Sequence, residues 1–372
     1  MLLSGFRYAV YRGLPATAST RASSVARVLL PPAPGLLKMG DAHPRPPRDL
    51  PPRPAAVMPG IEPVAIPRFP IDVAAPDITP WRQGNTGILG FTSFDGPAPG
   101  PHVLLIALLH GNEIGGAVVL DRLLRAGLRP LRGRLTFGFA NMAAFERFDP
   151  AQPTASRFID EDMNRVWDPP VLDGPRSSLE LDRARDVRPL IDTVDVLVDL
   201  HSMLWPSDPL ILSGASIKGR RLAEALGVPG LVVADHGHLT GPRLIDYPRF
   251  TDDADAPAAC LVEAGQHWQP ETVAVMEGTV DAVLRHTGLA AGPAPDRPPP
   301  RCAEVTMAVT ATTAGFAFLR PYRGGEVIPH RNTLIAVDGA TEIRTPHDDC
   351  LLVMPSLRAS RGHTAVRLAR FV

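Results

Sequence analysis

The sequence predicts an α/β protein whose mixed, mostly parallel sheet is flanked by helices and followed by a small all-β domain. Three observations carry that prediction. Between residues 103 and 286 short apolar runs alternate with segments of helical apolar spacing, the order that builds a parallel sheet with crossover helices. The stretch LAAGPAPDRPPPR at 289–301 then reads as a linker. Beyond it, short β-type runs are separated by turns such as Gly324-Gly325 and Asp338-Gly339. The expected division is an extension at 1–60, a main domain at 61–288, the linker at 289–301 and a β domain at 302–372.

Residues 1–60 do not read as fold. They carry no acid before Asp41, several arginines, and prolines too dense for helix or sheet between Pro31 and Pro59. This Pro/Arg-rich extension is expected to be disordered. It reads as an overextended gene start with Met39 or Met58 as initiator, an organelle transit peptide being the alternative.

Order is expected from Ile61. Strand-like pieces at 86–92 and 103–109 flank a Gly/Pro turn, and the seven apolar residues of the second suit a strand buried on both faces. Ile114, Ala117, Val118, Leu120, Leu123 and Leu124 have helical spacing, so a helix spans 113–125 and stops at Gly127. Strands follow at 134–140, 194–200, 230–234 and 258–262. Helices are expected at 177–191, 217–226 and 270–286, the last with proline in its first turn. The β domain shows strand-like runs at 315–319, 326–328, 333–337, 351–354 and 365–371.

Composition narrows the function. The 372 residues are 45% hydrophobic and 21% charged with net charge −1, which asks for neither nucleic acid nor an anionic membrane as partner. No apolar run approaches the roughly 18–20 residues that span a bilayer. Cys260, Cys302 and Cys350 are odd in number and far apart, which fits the reducing cytoplasm; Cys260 reads as a small core residue. A small-molecule substrate is the expected partner, and a homo-oligomer is compatible with the sequence.

The chemistry-bearing residues cluster at strand ends. His110 and Glu113 lie in the turn between the 103–109 strand and its helix, at the sheet edge where open α/β folds place ligands. An imidazole and a carboxylate there suit a divalent metal, although H-x-x-E alone is a weak motif. A second buried strand delivers His201 to its carboxyl end, and two such histidines can meet at one sheet edge. The 258–262 strand ends in Glu263. Between these lies SRFIDEDMNRVW, where Arg157, Asn164 and Arg165 offer groups for a carboxylate or an oxyanion. Asp199 precedes His201 and reads equally as support for the site or as a simple strand acid.

Set side by side, the segments HGNE (His110–Glu113), EDMNR (Glu161–Arg165, usually D-L-N-R), DLH (Asp199–His201) and VEAG (Val262–Gly265) resemble the succinylglutamate desuccinylase/aspartoacylase family. These are zinc hydrolases related to the zinc carboxypeptidases. The resemblance covers roughly residues 85–287, and the C-terminal β domain also looks like the family's. It implies a zinc carboxypeptidase-like fold and one zinc ion per chain, held by His110, Glu113 and His201 with a fourth position for water. It further implies that Glu263 moves the water's proton, Arg157 stabilises the oxyanion, and Asn164 with Arg165 holds a substrate carboxylate. The implied activity is deacylation, cleavage of the amide of an N-acyl amino acid or a similar small carboxylate-bearing amide. Alternatives are a carboxypeptidase acting on peptides and a non-catalytic metal-binding relative. Substrate choice is less legible: the 235–247 loop offers His236, His238, Arg243 and Tyr247, and Trp205 with Trp268 suggests an aromatic wall.

Overall fold

The computed structural model describes residues 69–237, 240–252, 254–292 and 297–372. The expected extension at 1–60, the onset of order near Ile61 and His238 lie outside these residues. After a single 3-10 turn at Thr79–Trp81 come β1 (Phe91–Asp95), β2 (His102–Ala107), α1 (Ile114–Arg125), β3 (Arg134–Phe139) and the short α2 (Met142–Phe145). There follow α3 (Pro169–Leu172), α4 (Leu179–Ile191), β4 (Val196–Met203), β5 (Leu210–Leu212), α5 (Ile217–Leu226) and β6 (Leu231–Ala234). Then come α6 (Pro248–Thr251), β7 (Ala258–Gln266), α7 (Pro270–His286) and β8 (Arg301–Thr310). The C-terminal strands are β9 (Phe316–Phe318), β10 (Val327–Ile328), β11 (Leu334–Asp338), β12 (Thr341–Arg344), β13 (Cys350–Val353) and β14 (Thr364–Phe371).

Eleven strands form one sheet in the order β1-β3-β2-β4-β7-β5-β6-β8-β14-β13-β10. The centre, β3-β2-β4-β7, is parallel, and β1 closes its outer edge antiparallel. Three-residue β5 enters antiparallel to β7, after which β6 and β8 run parallel to it. The sheet continues through β14, β13 and β10, all antiparallel. A separate small sheet, β12-β11-β9, completes the C-terminal β region.

The alternation within β2 explains why every residue of that strand is apolar or buried. Val103, Leu105 and Ala107 pack with α1 and α7 on one face. Leu104 and Ile106 pack with Leu181, Ala184 and Val187 of α4 on the other. Covering both faces removes each such side chain from water, worth about 1.5–3 kcal/mol apiece before conformational costs. The C-terminal region has its own core, including Phe318, Ile335, Leu352, Val366 and Leu368.

Helices α5 and α7 occupy the ranges their periodicity predicts. Helix α4 starts at Leu179, because Ser178 Oγ accepts the Leu181 amide at 3.0 Å and caps the first turn. The first strand lies later than expected: Asn85 bonds the backbone of Ser93 in both directions, making 86–90 a turn before β1. Strands β5, β8 and β12 were not expected from the sequence, and β8 begins at Arg301, the last residue of the expected linker. Strands β4 and β7 run past their apolar stretches, so His201 and Glu263 stand inside them, opposite each other in register.

Candidate active site

The site is built on the turn that leaves β2. Leu108 takes a left-handed backbone (φ 63°) and turns the chain so that His110 and Glu113 lie at the sheet's edge. Gly111 is required by close approach: a Cβ there would lie 2.4 Å from the Ala144 carbonyl carbon and 2.5 Å from the Ser156 oxygen. Its amide donates to the Arg157 carbonyl at 3.0 Å, tying this turn to the loop that carries Arg157.

Glu113 is the hub. Its Oε1 lies 2.7 Å from His110 Nδ1 and its Oε2 lies 3.1 Å from His201 Nδ1. The Ser202 amide donates to Oε2 at 2.8 Å. Burial alone would raise this carboxyl, but the two imidazoles outweigh it and hold Glu113 well below the usual range. His201 shows the converse: burial would lower it, and Asp199 with Glu113 raises it well above an ordinary histidine. Potential ligand atoms of His110, Glu113 and His201 all lie within 4.8 Å of one another, and all three residues are buried. The far nitrogen of each ring meets a second carboxylate. His110 Nε2 is 2.9 Å from Asp162 Oδ1, and His201 Nε2 is 2.9 Å from Asp199 Oδ2, the latter without hydrogen-bond alignment. Two imidazoles and a carboxylate, with a further carboxylate beside each ring, are a donor set that fits zinc.

The 157–165 loop adds the arginines. Arg157 donates to Glu113 Oε1 at 3.1 Å and to Asp162 Oδ2 at 3.2 Å. The loop is anchored by Glu180 of α4, a fully buried acid that accepts the amides of Ile159, Asp160 and Glu161 and the side chain of Asn141. Asn164 is buried: its Oδ1 accepts the Leu244 amide at 2.8 Å and its Nδ2 lies 3.4 Å from His201 Nε2. Arg165 donates to the Asn164 carbonyl at 2.5 Å. Burial, reinforced by Arg157, Arg243 and Arg367, brings its pKa down to about 10 against the pull of Asp162. Gly241 lets the 235–247 loop close over this segment, since a Cβ there would stand 2.1 Å from the Arg165 carbonyl oxygen.

Glu263 projects from β7 into the same cavity. Burial, then the neighbouring Glu113 carboxylate, pushes its carboxyl up to about 8, and its Oε2 is buried with no hydrogen-bond partner among the described residues. The cavity is about 690 Å³, and all seven residues singled out from the motifs line it.

Several expectations change. Of the four loop candidates, Arg243 lines the cavity, clamped by Asp235 and Asp246. His236 is exposed and outside the lining, and Tyr247 turns away to Arg188 and Asp192. Trp205 lines the cavity, but Trp268 is core: its Nε1 donates to the Asn112 carbonyl at 3.1 Å, steadying the HGNE turn from beneath. Much of the lining was not singled out from the sequence, and three of those residues bear directly on the site. Asp162 lies within the quoted EDMNR segment. His267, two residues beyond VEAG, has Nδ1 2.8 Å from Ser202 Oγ, and burial lowers its pKa to about 4. Arg367 arrives from β14, where no local signal marks it; its Nε is 3.3 Å from Asp235 Oδ2.

Comparison with known proteins agrees with this architecture. No curated protein matches the chain by sequence. Among solved structures it is similar to a succinylglutamate desuccinylase/aspartoacylase from Rhodobacter sphaeroides (20% identity, TM-score 0.60, covering 76% of this chain and 88% of that one). It also resembles a succinylglutamate desuccinylase from Vibrio parahaemolyticus (15%, 0.59, covering 76% and 86%). A third likeness is to a product-bound ectoine utilization protein from Ruegeria pomeroyi (17%, 0.54, covering 75% and 88%). At these identities the likeness establishes the fold. Residues 99–287, just over half of the chain, match the succinylglutamate desuccinylase/aspartoacylase catalytic domain. The chain therefore belongs to the succinylglutamate desuccinylase/aspartoacylase family of hydrolases.

Proposed function

We propose that this protein is a zinc-dependent deacylase that hydrolyses the amide bond of an N-acyl amino acid or a similar small carboxylate-bearing amide. The observation that carries this reading is the convergence of His110, Glu113 and His201 beside Glu263 and Arg157 in one cavity. His110, Glu113 and His201 would hold the zinc ion, which when bound acidifies water and polarises a carbonyl.

Each remaining residue has a task that its surroundings support. Glu263, whose Oε2 is buried with no hydrogen-bond partner among the described residues, takes the proton of the attacking water and later delivers it to the leaving amine nitrogen. The Arg157 guanidinium donates to the carbonyl oxygen as negative charge develops on it, an effect worth about 3 kcal/mol per donor. Asn164 Nδ2 and Arg165 hold the carboxylate of the amine half and so orient the scissile bond. Asp162 holds the His110 ring through Nε2, and the Asp199 carboxylate places its charge beside His201. The three cysteines are unpaired, which supports a reducing compartment such as the cytoplasm. Among the described residues, no helix is long and apolar enough to cross a membrane.

The test is Glu263→Gln. Glutamine keeps the shape but cannot accept the proton, so the variant should retain metal and fold while turnover of N-acyl amino acids falls about 10²–10⁴-fold. Turnover within a few-fold of the parent would assign the proton transfer to another group.

A further inference from the structure

The cavity has two unlike poles. At one lie Arg165, Arg243 and Arg367, whose charges act on one another across the 157–165 loop, the 235–247 loop and β14. At the other, beyond the histidine cluster, β4 and β7 end side by side. Met203 pairs with Gln266, and the His267 amide donates to the Met203 carbonyl at 2.9 Å. Trp205 follows on the same chain and meets Phe69 edge-on, with ring centroids 5.9 Å apart. Phe69 belongs to the segment whose Asp72 amide bonds the Trp268 carbonyl, so the aromatic pair lies on the His267 side.

Beside His267 three consecutive residues of the lining are apolar or aromatic, and the charge that reaches His267 from an arginine is that of Arg157, which is held by Glu113 and Asp162. Met203, Leu204 and Trp205 line it. The His267 ring spends Nδ1 on Ser202 Oγ, while Nε2 has no protein partner among the described residues and is not enclosed. Such a pole offers one hydrogen bond and an aromatic surface, and the guanidinium whose charge reaches it, Arg157, is already engaged by Glu113 and Asp162. A volume of about 690 Å³ also exceeds what an acetylated amino acid fills, lying within the range of pockets for drug-sized ligands.

We propose that the pole formed by His267, Ser202 and Trp205 is the acyl-group subsite, and that it selects an uncharged acyl group larger than acetyl, with an apolar body against Trp205. This rests on the deacylase reading above, because it takes Arg165 as the anchor of the amine half.

The test compares N-phenylacetyl-, N-acetyl- and N-succinyl-L-aspartate, with the L-glutamate series in parallel, as substrates of the zinc-loaded full chain. N-phenylacetyl compounds should exceed N-succinyl compounds at least tenfold in kcat/KM. Trp205→Ala, at a partly buried position and with its fold checked by thermal unfolding, should cut the phenylacetyl value about tenfold while leaving the acetyl value within about threefold. His267→Gln, with its fold checked by thermal unfolding, should weaken the larger acyl group more than acetyl. Calorimetric binding of the same compounds to Glu263→Gln separates the two claims. A phenylacetyl preference in binding without hydrolysis by the parent would sink the deacylase reading and leave the subsite standing. Preference for succinyl in turnover or binding, equal loss across acyl groups in Trp205→Ala, or no binding of any compound would overturn the subsite.

Discussion

Arg157 and Arg165 both line the cavity, yet their surroundings give them different work. Arg157 is held against Glu113 and Asp162, beside the cluster where charge appears during the reaction. Arg165 sits deeper, bonded to its neighbour's carbonyl and covered by the loop at Gly241. A carboxylate held by Arg165 persists unchanged from ground to transition state, so its loss acts on binding. Arg165→Met should therefore raise KM by about tenfold or more with kcat nearly kept, the size expected of a charge-assisted hydrogen bond. Arg157→Met should lower kcat about 10²–10³-fold with little change in KM. Steady-state kinetics on the same N-acyl amino acid check both. If Arg165→Met slows turnover at unchanged KM, the two roles are reversed.

At the scale of elements, what was legible in the sequence followed from local physics. Buried parallel strands are continuous apolar runs, so a polar residue at their carboxyl end stands out, as His110, His201 and Glu263 do. The helices α5 and α7 carry their own periodicity, α5 with its Ser216 cap and left-handed Gly227 and α7 with Pro270 in its first turn, and their bounds were readable for that reason. Other parts depend on partners distant in the chain. Glu180 looks like an ordinary first-turn acid of α4, yet its carboxylate gathers three amides of the 157–165 loop. Trp268 reads as a wall residue until the Asn112 carbonyl is found above its indole. Arg367 lies in an unremarkable β run, and only the pairing of β8 with β14 brings it to the cavity.

At the scale of the whole molecule, one buried cluster joins the C-terminal strands to the catalytic region. Asp235 accepts both guanidinium nitrogens of Arg243 at 3.0 and 2.7 Å and lies 3.3 Å from Arg367 of β14. Burial would raise the Asp235 carboxyl, but Arg243 and Arg367 outweigh it and hold the pKa below the ordinary value. A carboxyl depressed in the fold binds fewer protons than in the unfolded chain. Its stabilisation is thus fully present above the unfolded pKa of about 3.9 and is lost as pH falls through the lower folded value. Asp235→Asn leaves two buried arginines short of a counter-charge and should cost about 3–5 kcal/mol at pH 7. Urea unfolding should show that deficit beginning to shrink below pH 4, where the parent's unfolded chain takes up a proton that its folded Asp235 does not yet bind. A deficit equally large at pH 3 and pH 7 would mean packing, not charge, makes the link.

The central claim is that His110, Glu113 and His201 hold a catalytic zinc ion, and elemental analysis of the purified protein tests it most directly. The parent should carry one zinc per chain, and His201→Ala should lose most of it while still unfolding cooperatively. A parent that binds no zinc when supplied with it, or a folded His201→Ala variant at near-full occupancy, would contradict the account.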